Sequence, residues 1–135
     1  MRRYLLDSNA LNLFVFRRGG VYERSMEVRR TGAVIGTGIP VVAEVLGGTL
    51  YSDTSATNLP LVERKLNLLR LWPFDLAAAR EYARLYAELR RSGIQMQVMD
   101  RMIAAIAMTL PNCTVVTSDT DFSRVPGLKV DNWAS

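Results

Sequence analysis

Arg3-Tyr4-Leu5-Leu6-Asp7-Ser8-Asn9 opens on a short apolar run and closes on an acid followed by two small polar residues. The run has the length of a buried strand, and Ser8 or Asn9 can cap a helix behind it whose apolar positions are Leu11, Leu13, Phe14 and Phe16. Similar segments recur downstream. Ala33-Val34-Ile35 reads as a strand closed by Gly36-Thr37-Gly38, and Pro40 suits the first position of a helix continued by Val41 to Leu50. Thr114-Val115-Val116-Thr117 reads as another strand, handing over to Ser118-Asp119 and a turn or short helix through Phe122. Short apolar strands alternating with amphipathic helices argue for an α/β fold with a parallel sheet flanked by helices.

The remaining segments fit that alternation. Gly19-Gly20 separates the first helix from a polar, amphipathic one over Val21 to Arg30, and Tyr51 to Asn58 reads as a polar turn region before a helix over Leu59 to Leu69. Leu71-Trp72-Pro73-Phe74 reads as a strand running into Asp75, the N-cap of the strongest helix, Leu76 to Arg91, with Leu76, Ala79, Tyr82, Ala83, Tyr86 and Leu89 as its stripe. Val98 to Leu110 is a further helix with Ile103, Ala104, Ile106 and Ala107 inward, and Leu128-Lys129-Val130 a last strand. No repeat or low-complexity tract interrupts the chain, and 135 residues suit one domain over 1–135.

Composition narrows the chemistry. There is no histidine, so neither a Ser–His–Asp nor a Cys–His catalytic arrangement can be built. A single cysteine, Cys113, excludes an internal disulfide and a thiolate metal cluster, and suits a reducing compartment. No apolar run approaches the roughly 20 residues that span a bilayer. The expectation is a soluble, cytoplasmic protein without a membrane partner. Any metal chemistry then rests on oxygen ligands, which select hard cations. Net charge is +4, and 15 of the 17 basic residues are arginine, whose planar fork suits phosphate. An anionic substrate and a merely solvated basic surface are both compatible with that balance.

Four regions hold the acids of interest. Asp7 stands at the carboxyl end of the first strand, where ligands gather in open α/β sheets, although capping a helix would also explain it. Glu44 is the lone charge in Val41-Val42-Ala43-Glu44-Val45-Leu46, either drawn inward by a partner or facing water. Asp100 shares a helix face with Ile103, Ala104 and Ala107, near an N-terminus that favours negative charge. Asp119 and Asp121 follow a strand directly, a position where turns alone often place Asx residues. Together they would form an oxygen-lined pocket with too much like charge to persist without a cation. The matching reaction is attack of water on a phosphodiester, assisted by Mg²⁺ or Mn²⁺.

These segments resemble the ordered motifs of PIN domains, and the resemblance runs over nearly the whole chain. Tyr4-Leu5-Leu6-Asp7-Ser8-Asn9 resembles the family's opening motif, and Ala43-Glu44-Val45-Leu46-Gly47 its second. Val98-Met99-Asp100-Arg101-Met102-Ile103-Ala104-Ala105 resembles the third, and Val116-Thr117-Ser118-Asp119-Thr120-Asp121-Phe122 the fourth. Trp72-Pro73-Phe74-Asp75 and the tail Val125-Pro126-Gly127-Leu128-Lys129-Val130 are similar to VapC-type toxins. The resemblance implies a PIN-like three-layer α/β/α sandwich around a mainly parallel sheet of four or five short strands. It implies a Mg²⁺- or Mn²⁺-dependent endoribonuclease with Asp7, Glu44, Asp100 and Asp119 as catalytic acids, water attacking in line to leave a 5′-phosphate. Asp7, Asp100, Asp119 and Asp121 would hold metal, supported by Ser8, Asn9 and Thr117. It further implies an RNA substrate, a homodimer and a cognate VapB-like antitoxin.

Gly38 departs from many relatives, which carry a hydroxyl residue there; Thr37 is the nearest substitute. Trp72, Tyr82 and Tyr86 read as core or dimer contacts rather than stacking platforms for bases. Two other functions stand beside the nuclease. One is a catalytically inactive PIN-like module that only binds RNA or protein, which the presence of all four motif acids disfavours. The other is a phosphotransferase with Asp7 as nucleophile, which needs a second aspartate where Asn9 stands.

Overall fold

A computed structural model describes residues 1–135. Its sheet has five strands, all parallel, in the order β3-β2-β1-β4-β5: β1 (Arg3–Leu6), β2 (Val34–Gly38), β3 (Arg70–Trp72), β4 (Cys113–Val116) and β5 (Lys129–Asp131). Successive strands add outward from β1 to β2 to β3, and the chain then returns to the other side of β1 for β4 and β5. The strand order therefore reverses between β1 and β4, which is where open parallel sheets form their ligand crevice. Leu5, Leu6, Val115 and Val116 are fully buried, the continuous apolar character expected of strands covered on both faces.

Six helices flank the sheet: α1 (Ser8–Val15), α2 (Val21–Arg30), α3 (Ile39–Tyr51), α4 (Ser55–Leu66), α5 (Leu76–Arg91) and α6 (Val98–Thr109). A single 3₁₀ turn, Thr120–Arg124, lies between β4 and β5. Helix α1 packs against α2, α3 and α4, while α6 packs against α5, α3 and β4. The inward residues Ile103, Ala104, Ile106 and Ala107 of α6 are all buried. This is the three-layer arrangement expected from the sequence, with the parallel sheet at its upper expected size.

Several local expectations are corrected. Asp7 itself caps α1, its Oδ1 accepting the Ala10 N–H at 2.8 Å, so neither Ser8 nor Asn9 is the cap. The segment from Ser55 to Asn58 is the first turn of α4, not a loop, and Pro60 lies within that helix. Gly36, Thr37 and Gly38 belong to β2 and do not merely close it. On α5 the buried positions are Ala78, Leu85 and Leu89; Leu76 and Tyr86 face solvent, so the inward face is turned from the expected stripe. No helix is long and apolar enough to cross a membrane.

Candidate active site

Asp7 is the point from which the site is built. Its backbone N–H continues the ladder beyond β1 by donating to the Val116 carbonyl at 3.1 Å. Its side chain is held by the α1 cap, and it is 6% exposed, the one buried acid in the molecule. Burial raises the Asp7 carboxyl above its ordinary value, and the negative charges of Asp119 and Glu44 add to the rise. Hydrogen bonding to Thr117 and to the Ala10 amide pulls the other way. Thr117 is also buried, and its hydroxyl oxygen accepts the Asp119 N–H at 2.9 Å, which leaves its proton for Asp7.

Asp100 approaches from the first turn of α6, where the free N–H groups of the helix favour negative charge. It is half-buried, and its carboxyl is pushed up to about 6. Burial is the largest cause, followed by the charges of Asp119, Asp7, Asp121 and Glu44 in that order. Residues spread from the first strand to the last turn thus feel one another. Glu44 is exposed on α3, and Asp119 is exposed beyond β4. Asp119 caps the 3₁₀ turn by accepting the Asp121 N–H at 2.9 Å.

The acids form an open collar. No three of them converge closely enough to make a ready-made ion cage. The two observations are compatible, because Coulomb repulsion acts over several ångströms whereas metal–oxygen contacts require about 2.0–2.6 Å. The donor set fits a hard cation: all are carboxylate or hydroxyl oxygens, with neither histidine nor an accessible thiolate. Burial drives the Cys113 thiol up to about 12. Ser8 adds a buried hydroxyl with no hydrogen-bond partner, next in the chain to Asp7.

Among the other polar residues, the exposed Asn9 donates from Nδ2 to the Ser118 hydroxyl at 3.3 Å, tying the start of α1 to the segment after β4. Thr37 is fully buried and donates to the Leu6 carbonyl at 2.7 Å, so its proton bridges β2 to β1 and does not replace a pocket contact at Gly38. A Cβ at position 38 would come within 2.7 Å of the Ile106 Cδ1, a side-chain end that would have to turn aside to admit it. Sequence reasoning missed Arg124, whose Nη2 donates to Asp121 Oδ1 at 2.6 Å and to the Gln95 carbonyl at 3.4 Å. The i,i+3 spacing of Asp121 and Arg124 was its only signal.

The geometry of an acid collar at a switch point coincides with the family assignment. The PIN-domain family model matches residues 4–128. The chain belongs to the PIN-domain family. Among PIN-domain proteins it is similar to the ribonuclease VapC5 of Mycobacterium tuberculosis, with 35% identity over 98 residues, 69% of this chain and 70% of that protein. It is 25% identical over 134 residues to the tRNA(fMet)-specific endonuclease VapC of Shigella flexneri, covering 99% of this chain and all of that one. The crystal structure of VapBC2 from Rickettsia felis bound to a DNA fragment from their promoter contains a PIN fold that superposes on 97% of this chain and 98% of its own, with a TM-score of 0.88 and 26% identity. The chain is thus a VapC-like PIN domain.

Proposed function

We propose that the carboxylate collar is the active site of a Mg²⁺- or Mn²⁺-dependent endoribonuclease, the toxin half of a VapBC-type pair. The observation that carries this reading is the gathering of Asp7, Glu44, Asp100, Asp119 and Asp121 at one end of the sheet, close enough that their charges add to the effect of burial on Asp7 and Asp100. Carboxylates that burial and repulsion make reluctant to ionise are stabilised by a divalent cation, and these acids follow the order of the family's motifs. The ribonuclease names of the relatives and the antitoxin complexes among the similar structures support the activity and the partner.

Asp7, Asp100, Asp119 and Asp121 would hold the metal. The bound ion supplies Lewis acidity toward water and toward the phosphoryl oxygens. The chain's own residues do the rest. The α1 cap and Thr117 fix the orientation of Asp7. Asn9 and Thr117 brace the segment that carries Asp119. Glu44, open to solvent on α3, accepts the proton of the attacking water. Hydrolysis places the water oxygen on phosphorus and releases the 3′ oxygen of the preceding nucleotide, leaving a 5′-phosphate.

Five of the thirteen acids belong to this collar, with Arg124 paired to one of them, which leaves eight acids facing sixteen bases elsewhere. That contrast suits an RNA strand drawn in by arginines, and equally an antitoxin whose basic tail fills the collar. The reading also includes a homodimer in the cytoplasm, for which sedimentation should give twice the 15.1 kDa chain mass. With Mn²⁺ the purified protein should cut RNA to 5′-phosphate products, and EDTA should stop it. Asp7→Asn and Asp100→Asn, with unchanged circular dichroism, should each lower the rate by about 100-fold or more. Retained cleavage in both variants would remove the collar from the chemistry; no cleavage by the wild type would favour a binding-only module.

A further inference from the structure

Next to the acid collar lies a hollow of opposite chemistry. It has a volume of about 390 Å³ and is lined by Tyr86, Arg90, Ile94, Gln95, Met96 and Arg101, among others. Gln95 and Met96 also line the groove that contains Asp121. A chain crossing these two residues would pass from carboxylates to arginines.

Both arginines are left without acid partners. Arg84 on α5 is gripped by Glu81 at 2.8 Å and Glu88 at 2.7 Å, whereas neither Arg90 nor Arg101 meets a carboxylate within 4.0 Å. Arg101 is held rigidly instead. Its Nε and Nη2 donate to the Tyr82 hydroxyl at 3.2 and 3.1 Å, and Nη1 donates to the Met96 carbonyl. Its guanidinium carbon lies 5.4 Å from the ring centroids of both Tyr82 and Tyr86. Three of its five N–H groups are used, and two are left to donate. Arg90 donates to the Tyr86 hydroxyl at 3.1 Å. The Tyr86 side chain is 41% exposed, so it is not the core contact its sequence position suggested, and the Arg90 guanidinium carbon also lies over its ring, 5.3 Å from the centroid. Two unneutralised planar cations beside an exposed aromatic ring make a site for a phosphate joined to a flat base.

We propose that this hollow binds a nucleotide of the RNA strand flanking the bond to be cut, with Arg90 turning from the Tyr86 ring to join Arg101 on its phosphate and the base stacking on that ring in its place. The proposal rests on the ribonuclease reading of the collar and adds the path by which substrate leaves it. An acidic peptide could match the charge but has no base to stack.

Binding is measured in the cleavage-blocked Asp100→Asn protein, by anisotropy of a 5′-fluorescein mixed-sequence RNA. Arg90→Gln and Tyr86→Leu should each weaken binding by about 5- to 10-fold. Arg90→Gln should also flatten the dependence of log Kd on log salt by about 0.7, the loss of one single-strand phosphate contact, while Tyr86→Leu should leave it unchanged. Arg101 anchors the Met96 loop, so the test does not depend on replacing it. Arg30→Gln, on α2, serves as the control, and should change Kd by less than about 2-fold. The proposal is overturned if both hollow variants bind like the parent, if Arg30→Gln weakens binding equally, or if polyglutamate competes as well as unlabelled RNA. Wild-type cleavage with an indifferent hollow would remove only this subsite. RNA held through the hollow by a wild type that never cuts would remove only the catalytic reading.

Discussion

Asp100 links folding to cation binding. Its carboxyl is raised from 3.8 to about 6, so between those values the folded protein holds a proton that the unfolded chain has released. The stabilising share is complete below 3.8 and is lost as pH rises through 6; Asp7 shifts in the same direction. A rise of this size corresponds to about 3 kcal/mol in a dry site, and solvent screening at a half-exposed group reduces it to about 1 kcal/mol. Metal-free protein should therefore melt lower at pH 7 than at pH 4.5, and Asp100→Asn should recover about 3–5 °C at pH 7. Mn²⁺ should raise the wild-type Tm more at pH 7 than at pH 5, and much less in Asp100→Asn. Equal Tm values for the two proteins, with no Mn²⁺ response at either pH, would refute the linkage. Cys113 gives a simpler test: buried, with its thiol at about 12, it should resist a thiol reagent at pH 8 until the protein unfolds. At this scale the sequence named the interacting acids, because Asp7, Asp100, Asp119 and Asp121 lie at strand ends or helix starts and Glu44 is the lone charge in an apolar helical stretch, but not Arg124. Whether a surface arginine turns back onto Asp121 depends on the path of the 3₁₀ turn.

Strand β2 illustrates how an element can be constrained by backbone approach. A Cβ on Gly36 would lie 2.3 Å from the Arg70 carbonyl oxygen and 2.7 Å from the Trp72 ring. The neighbour is backbone, so it cannot swing aside. Gly36→Ala should destabilise the protein by about 1–3 kcal/mol, read as a lower denaturation midpoint; an unchanged midpoint would mean that β3 can shift at little cost. The sequence read this glycine only as a strand terminator, since close approach is a property of two strands at once. Helices were more legible where the ends carry chemistry. Asp75 accepts the Ala78 N–H at 3.0 Å and starts α5 at the expected residue, and Gly20 precedes α2 at its expected start. The start of α4 was hidden because Ser55, Thr57 and Asn58 favour turns in isolation; here Asn58 Nδ2 donates to the Thr54 hydroxyl at 2.8 Å and secures the first turn. The orientation of α5 was ambiguous because its alanines fit two stripes, and packing against α6 selects the one with Ala78, Leu85 and Leu89.

Across the whole molecule, charge is segregated rather than balanced: an acid collar at the switch point of the sheet, and an arginine-rich exterior. A polyanion approaching such a surface is attracted by the exterior and repelled by its destination. The collar includes Asp119, which is exposed and therefore contributes repulsion without being needed to support the core. In EDTA at low salt, Asp119→Asn should tighten RNA binding by about 2- to 5-fold, because removing one charge a few ångströms from a phosphate in a water-rich cleft is worth about 1 kcal/mol or less. Raising the salt should shrink that gain as the Debye length falls toward about 8 Å, while weakening binding by both proteins. Ca²⁺ should produce a similar gain in the wild type and a smaller one in the variant, since part of the charge it neutralises is already gone. If Asp119→Asn bound RNA no better than the wild type in EDTA, the RNA would be resting on the basic exterior alone, away from the collar.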